Sequence, residues 1–260
     1  MYLYVEKKEF FHSLHPVTKI FLLLAYLSVS IIFNSPIYLG LFLLLALAII
    51  ISAGGMENIR RMGFVLIFLF CFSTILWAFF IKEGKVLFKI GPLTITDKSI
   101  VYGLGMGMRL DLMVVSGLLF FSITMIEEFT YGLFRLGLPF SFCFALSMAF
   151  RFVPIFLKEG TIVAEAQTLR GLDRTSGNIL RRIRNYFPLI IPIFITTIKG
   201  MDNLFLALES KGFKPQRGRT FYLERSPEFI DYSIIVFLIL LVILCLFLRI
   251  RGCGFVLNRL

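Results

Sequence analysis

Acidic residues are scarce in this chain of 260 residues: 16 Asp and Glu stand against 27 Lys and Arg, a formal net charge of +11. Cysteine is scarce too. Cys71, Cys143, Cys245 and Cys253 are scattered, the first three inside apolar runs, so neither a CxxC zinc site nor a disulfide framework is indicated. His12 and His15 are the only histidines. Their i, i+3 spacing could place both rings on one helical face, but Pro16 follows and no Cys or nearby pair of acids completes a metal site. No metal and no cofactor is expected, and polarity at an interface or packing is the reading for the two rings. Glu127 and Glu128 resemble a helix entry or a solvated edge more than a catalytic dyad. A P-loop (GxxxxGK followed by Ser or Thr), an HExxH helix and a GxSxG elbow are all missing. The chain is not expected to hydrolyse ATP by itself, and no catalytic residue is assigned.

What the chain has in excess is hydrocarbon. It is 58% hydrophobic with 31 Phe and a mean hydropathy of +0.88, far from a soluble domain. Several runs approach the ~20 apolar residues that cross a bilayer as a helix. The short alternating segments of a membrane β-barrel are not seen. The expected class is all-α: a polytopic helical membrane protein with about five transmembrane helices. The basic surplus then reads as the Lys/Arg enrichment of cytoplasmic loops, facing headgroups or an acidic partner, and not as a nucleic-acid footprint.

Spans are expected at roughly 17–33, 37–53, 63–81, 100–123 and 230–249. Pro16 suits the first turn of the first helix, where its missing N–H costs little. Asn34-Ser35-Pro36 is a short turn, and Gly54 to Arg61 breaks the chain before the third span. Trp77, the only tryptophan, is expected at a membrane boundary, as amphipathic rings favour the interface. Residues 82–98 form a mixed loop in which VLFKI and LTI can pair as a small hairpin. No signal-peptidase-like site precedes the first apolar run, so that span is expected to stay in the mature protein. Lys7, Lys8 and Lys19, with Arg60 and Arg61, place the amino terminus inside; Lys82, Lys85, Lys89 and Lys98 on the outer loop count against this.

Three domains are expected: an amino-terminal bundle at 1–123, a helical coupling module at 124–229, and a final span with a basic tail at 230–260. From Lys158 to Arg225 there are 12 Lys/Arg against 6 Asp/Glu, which marks the module as cytoplasmic or interfacial. The piece 139–157 is apolar enough to span, yet it contains Arg151 and Pro154. An arginine at the bilayer centre costs at least ~2.5 kcal/mol, so an interfacial or buried helix is equally open.

Within the module, AEAQTLRGLD (164–173) is echoed by LALESKGF (206–213). Each has an Ala, a basic residue four positions on, Gly, then a large apolar residue: Ala166, Arg170, Gly171 and Leu172, then Ala207, Lys211, Gly212 and Phe213. One such end is ordinary capping, with a cation on the helix dipole and Gly in the left-handed position. Two of them in one basic region point equally to docking. In the fourth span Gly103 and Gly107 form a GxxxG pair, and Ala145 and Ala149 repeat the small-xxx-small spacing, which lets helices approach closely. These positions, with Arg151 and Pro154, are assigned to packing within the chain or to the interface with a partner. Arg109 and Asp111 are two positions apart and about 200° around a helix, too far for a simple pair on one face.

The two tip motifs resemble the Ala-Arg-Gly-type motifs of the T component of energy-coupling-factor transporters, the cobalt-transport permease Q-like family. Leu14-His15-Pro16-Val17-Thr18-Lys19 is similar to that family's Asp-Pro-x-x-Lys segment, with His15 in place of the acid. Leu138-Pro139 and Arg151-Phe152-Val153-Pro154 resemble the stretch leading into its first coupling helix, and Arg219-Thr220 lies where the chain returns to its last span. The resemblance implies a plasma-membrane scaffold with no chemistry of its own. It would couple two cytoplasmic ABC-type ATPase subunits to a separate substrate-binding membrane subunit for uptake of a vitamin or metal ion. It implies that Arg170 carries one ATPase contact, flanked by Leu169 and Gly171, and Lys211 the other, flanked by Ser210 and Gly212. Lysine at 211 departs from the commoner arginine and offers a point charge where arginine offers a fork. Two rivals remain from the residues alone: a self-contained permease with a path among Arg109, Asp111 and Arg151, and a membrane-embedded lipid-modifying enzyme, for which no convincing acid, metal or nucleophile cluster is found.

Overall fold

The computed structural model describes residues 10–81, 86–90, 93–171, 179–213 and 226–251. Lys7, Lys8, Lys82, Lys85, Leu172, Asp173, Arg219, Thr220 and Cys253 lie outside the described residues. In chain order the elements are α1 (Phe10–Ser13), α2 (Pro16–Ile32), α3 (Pro36–Ser52), α4 (Met56–Phe80), β1 (Val86–Ile90), β2 (Leu93–Thr96), α5 (Asp97–Ile123), α6 (Ile126–Arg135), α7 (Phe140–Leu169), α8 (Ile179–Ser210) and α9 (Phe229–Ile250). The class is helical, and the 82–98 loop does hold a small antiparallel hairpin, with Ile90 opposite Leu93. Pro16 and Pro36 each occupy the first turn of their helices, as fixed φ and no N–H favour.

Among the described residues, five helices are long and apolar enough to cross a membrane: Met56–Phe80, Asp97–Ile123, Phe140–Leu169, Leu189–Ser210 and Phe229–Ile250. The number matches expectation, but the set differs. The first two expected spans are apolar helices of 17 residues each, which reach roughly 25 Å at 1.5 Å per residue, while α7 and part of α8 qualify by length and composition. The expected break before the third span is shorter than expected, because α4 already begins at Met56 and includes Arg60 and Arg61.

The described chain divides into two compact units. Unit 1 joins 1–136 with 223–260, and unit 2 is 137–222. In unit 1, α5 is the central helix, packed against α2, α3 and α4, while α6 and α9 pack on α2. α6, expected at the start of the inserted module, thus rests on the bundle. The core is built from Val29 of α2 and Phe33 at its C-cap, Leu39 and Ile50 of α3, and Leu112, Leu119 and Ile123 of α5. α5 is the helix that carries the glycines, Ser116, Arg109 and Asp111, so its central place follows from the cost of turning polar groups toward hydrocarbon. The outer helices do the opposite: Phe64, Ile67, Phe72 and Ile75 of α4 are exposed, a surface suited to lipid.

Close approach of α5 to α4 depends on two glycines. A Cβ on Gly103 would stand 2.7 Å from the Thr74 carbonyl oxygen, and one on Gly107 would stand 2.7 Å from Thr74 Oγ1. The GxxxG pair therefore lies directly against α4. Near the same end Trp77 meets Tyr102 edge to face at 5.5 Å, the kind of aromatic pair favoured at a membrane boundary.

One buried cation, one half-buried cation and one carboxylate tie the ends of α2. Lys19 is fully buried and donates to the His12 carbonyl at 3.0 Å, the Ile123 carbonyl at 2.8 Å and Glu128 Oε2 at 2.7 Å. An ammonium has three donors, and each finds an acceptor. The Ile123 carbonyl closes α5, so the cation also meets the negative end of that helix. At the other end of α2, Arg109 of α5 donates to the Phe33 carbonyl at 2.7 Å and to Asn34 Oδ1. Asp231 of α9 accepts from the His15 N–H at 2.8 Å, the Thr18 hydroxyl at 3.1 Å and the Glu228 N–H at 3.0 Å. One carboxylate thus serves the positive ends of α2 and α9 together.

Unit 2 is an antiparallel helix pair. The rings of Phe144 and Phe213 lie 4.9 Å apart, those of Phe156 and Phe194 6.3 Å apart, and Gly160 is beside Ile193. Pro154 stands inside α7, where it withdraws the N–H that would bond the Phe150 carbonyl.

Candidate functional site

The two tip motifs close α7 and α8. Arg170 is the C-cap of α7, and its N–H reaches the Ala166 carbonyl at 3.2 Å. Gly171 follows with φ +86° and donates to the Thr168 carbonyl at 3.0 Å. At the end of α8, the Gly212 N–H bonds the Glu209 carbonyl at 2.8 Å, and the Phe213 N–H bonds the Leu208 carbonyl at 2.9 Å. This 5→2 and 6→1 pair is a Schellman closure, with Gly212 at φ +71°. Both glycines are set by backbone conformation, since a Cβ on either would meet only open space. A side chain there is strained by the left-handed φ without colliding with any of the described residues.

The capping bonds use backbone groups and leave the cations uncommitted. Arg170 and Lys211 are exposed, and their side chains have no hydrogen-bond or ion-pair partner among the described residues. The tips differ in what flanks the charge. Leu169 is 90% exposed, an apolar side chain presented beside the guanidinium. Ser210 instead turns its hydroxyl back to the Ala207 carbonyl at 2.9 Å. Because α7 and α8 run antiparallel and Phe213 meets Phe144, the tips lie at opposite ends of the pair. About 26 residues of α7 separate Phe144 from Arg170, roughly 40 Å along a straight helix.

The other candidate positions fall in both units. Ala145 and Ala149 line a cavity of about 370 Å³ between α7 and α8, with Phe152, Leu204, Phe205 and Leu208. Arg151 and Pro154 are exposed on α7. Arg109 and Asp111 do not pair: Arg109 is held at the α2–α3 turn, and Asp111 Oδ1 is buried with no hydrogen-bond partner. His15 caps α2, its Nδ1 accepting the Val17 N–H at 3.3 Å, and its ring meets Tyr131 edge to face at 6.1 Å. Glu128 is no solvated edge, because it both bonds Lys19 and accepts the Met125 N–H at 3.4 Å at the start of α6. Among the described residues no group of three or more His, Cys, Asp or Glu is placed to hold a metal ion.

Three residues carry weight that sequence reading assigned elsewhere or passed over. Lys19 counted there as an amino-terminal charge and as the last residue of the Asp-Pro-x-x-Lys-like segment, Glu128 as a helix entry or a solvated edge, and Asp231 drew no notice. Only Lys19 had a local signal, its place three residues after Pro16. Its partners are 104 and 109 positions away, so no spacing rule joins them.

Comparison with known proteins covers both tips. A family model described as cobalt transport protein, CbiQ, matches residues 7–222. The chain is 31% identical over 222 residues to the energy-coupling factor transporter transmembrane protein EcfT of Acidaminococcus fermentans, covering 80% of this chain and 81% of that protein. It is 30% identical over 267 residues to the protein of the same name from Bacillus subtilis, covering 95% and 96%. With the Streptococcus thermophilus protein it shares 30% over 233 residues, covering 84% and 86%.

Proposed function

The chain belongs to the CbiQ family of cobalt transport proteins, as a T component of energy-coupling-factor transporters, and from this premise we propose how its two basic tips work. It is a multi-pass protein of the cell membrane and one component of a multi-subunit transporter. In the reading proposed here, the helix pair of unit 2 (137–222), the larger part of the module expected at 124–229, works as a coupling module on the cytoplasmic side. Each tip enters a groove on one of two cytoplasmic ATPase subunits. Arg170, with Leu169 and Gly171, makes the first contact, and Lys211, with Ser210 and Gly212, makes the second.

The observation that carries this is the pairing of exposed, uncommitted cations with left-handed glycines at opposite ends of one helix pair. A guanidinium can meet a carboxylate in a groove through two parallel bonds, and Gly lets the backbone of the tip come close. Separation along the pair leaves room for two ATPases, one at each end. ATP binding draws the ATPases together, the tips follow as levers, and the packed helices shift between two arrangements. That movement reorients a separate substrate-binding membrane subunit, whose contact face includes Ala145, Ala149, Arg151 and Pro154. The cargo of such a system is a micronutrient, a vitamin or a metal ion, selected by the partner. Gly103 and Gly107 are occupied by α4, which leaves them a packing role.

The rivals find less support. Arg109, one wall of the suggested permease path, is committed to the α2 C-terminus. Uptake measurements in cells test the proposal. Arg170→Ala should lower uptake at least tenfold, the worth of a charge-assisted hydrogen bond of about 1.5–3 kcal/mol, with Lys211→Ala weaker and membrane levels unchanged. Full uptake by the double variant would refute the docking role.

A further inference from the structure

Unit 2 presents a free cation on a surface made for hydrocarbon. Arg151 lies in the apolar part of α7, is exposed, and has no polar partner among the described residues. Its neighbours along the helix, Phe150, Val153, Ile155 and Leu157, are exposed apolar side chains. A guanidinium bordered by hydrocarbon is better placed where an anion reaches it. The anion that a bilayer supplies beside exposed hydrocarbon is a lipid phosphate, which arginine binds through its planar fork.

The cavity between α7 and α8 adds the second half of such a ligand. Its lining includes Met148 and Phe152, which share Arg151's stretch of helix, and every lining side chain is apolar. Its volume of about 370 Å³ lies in the ~300–1,000 Å³ range of small-molecule sites. A helix with its side chains is roughly 10–12 Å across, so a partner helix would lie over this cavity without filling it. An acyl chain is slender enough to enter it.

We propose that this groove holds one acyl chain of an anionic phospholipid whose phosphate is gripped by Arg151. The lipid occupies the groove while the face assigned above to the substrate-binding subunit is uncovered. The site does not depend on that assignment, because it is tested on the chain alone.

Native mass spectrometry of the purified full chain, titrated with phosphatidylglycerol or phosphatidylcholine of matched chains, measures the preference. The wild type should retain one phosphatidylglycerol about tenfold more tightly than phosphatidylcholine, the ratio that ~1.4 kcal/mol gives. Arg151→Gln should bring that ratio near one while lipid still binds. Ala149→Phe, which fills the groove, should lose both lipids, with its helix content by circular dichroism unchanged. A photoreactive residue at Met148 should add the mass of one phospholipid on illumination. Equal retention of the two lipids by the wild type, an unaltered preference in Arg151→Gln, or cross-linking of Met148 to a second copy of the chain would overturn the proposal.

Discussion

Lys19 and Lys211 are the same side chain put to opposite uses. Lys19 is fully buried, with each of its three donors on an acceptor, and it fastens α1, α2, α5 and α6 of unit 1 together. Lys211 stands at the end of α8 in unit 2, exposed and without a partner among the described residues. The contrast extends to the arginines: Arg109 is committed to the α2–α3 turn, while Arg170 and Arg151 are uncommitted. A cation saturated inside the chain supplies rigidity and nothing to a partner. One left bare, beside an apolar side chain and a left-handed glycine, supplies recognition and little to stability.

The contrast can be broken most severely at Lys19. Lys19→Met leaves the Glu128 carboxylate and two carbonyls without their donor, and loss of one partner of a buried pair costs about 3–5 kcal/mol. Little folded protein should be recovered in detergent, and its thermal midpoint should fall sharply; a wild-type midpoint would remove the clamp from the account. Arg170→Ala should do the reverse, weakening affinity for the ATPases about tenfold or more while the midpoint holds. Surface binding measurements on the purified subunits and a melting curve separate the two quantities.

Smaller effects sharpen the same division. Asp231→Asn weakens three hydrogen bonds to a carboxylate and should lower stability by about 1–3 kcal/mol, with faster proteolysis ahead of α9. A cleavage rate equal to wild type would show that the clasp does not hold α9. Gly212→Ala forces a side chain into the left-handed region at about 1–2 kcal/mol, with no steric contact to add to it. Its effect should appear as a few-fold loss of ATPase affinity and a midpoint lowered by a few degrees, about 2–4 °C per kcal/mol.

Much of this was legible in the chain itself, for physical reasons particular to each part. Pro16 announced a helix start because proline constrains its own residue, while Pro36, read as the end of a turn, is the first residue of α3. The tips were legible because capping is local: cation, glycine and apolar residue follow one another directly. Gly103 and Gly107 announced close packing without naming α4 as the neighbour. Lys19 and Asp231 were misread or missed, and Glu128, which does stand at a helix entry, gave no sign of its bond to Lys19, since a charge in sequence looks the same whether it faces water or a carbonyl in the core. The lengths of α2 and α3 decided the membership of the span set, a matter of a few residues at helix ends that composition does not resolve.

The central claim is that each basic tip holds one ATPase, and the number of ATPase subunits retained by the purified chain tests it most directly. Native mass spectrometry of the assembled complex should find two ATPase subunits on the wild type, a reduced complement on Arg170→Ala, a milder reduction on Lys211→Ala, and none on the double variant. Retention of two ATPases by the double variant, at wild-type affinity, would contradict the account.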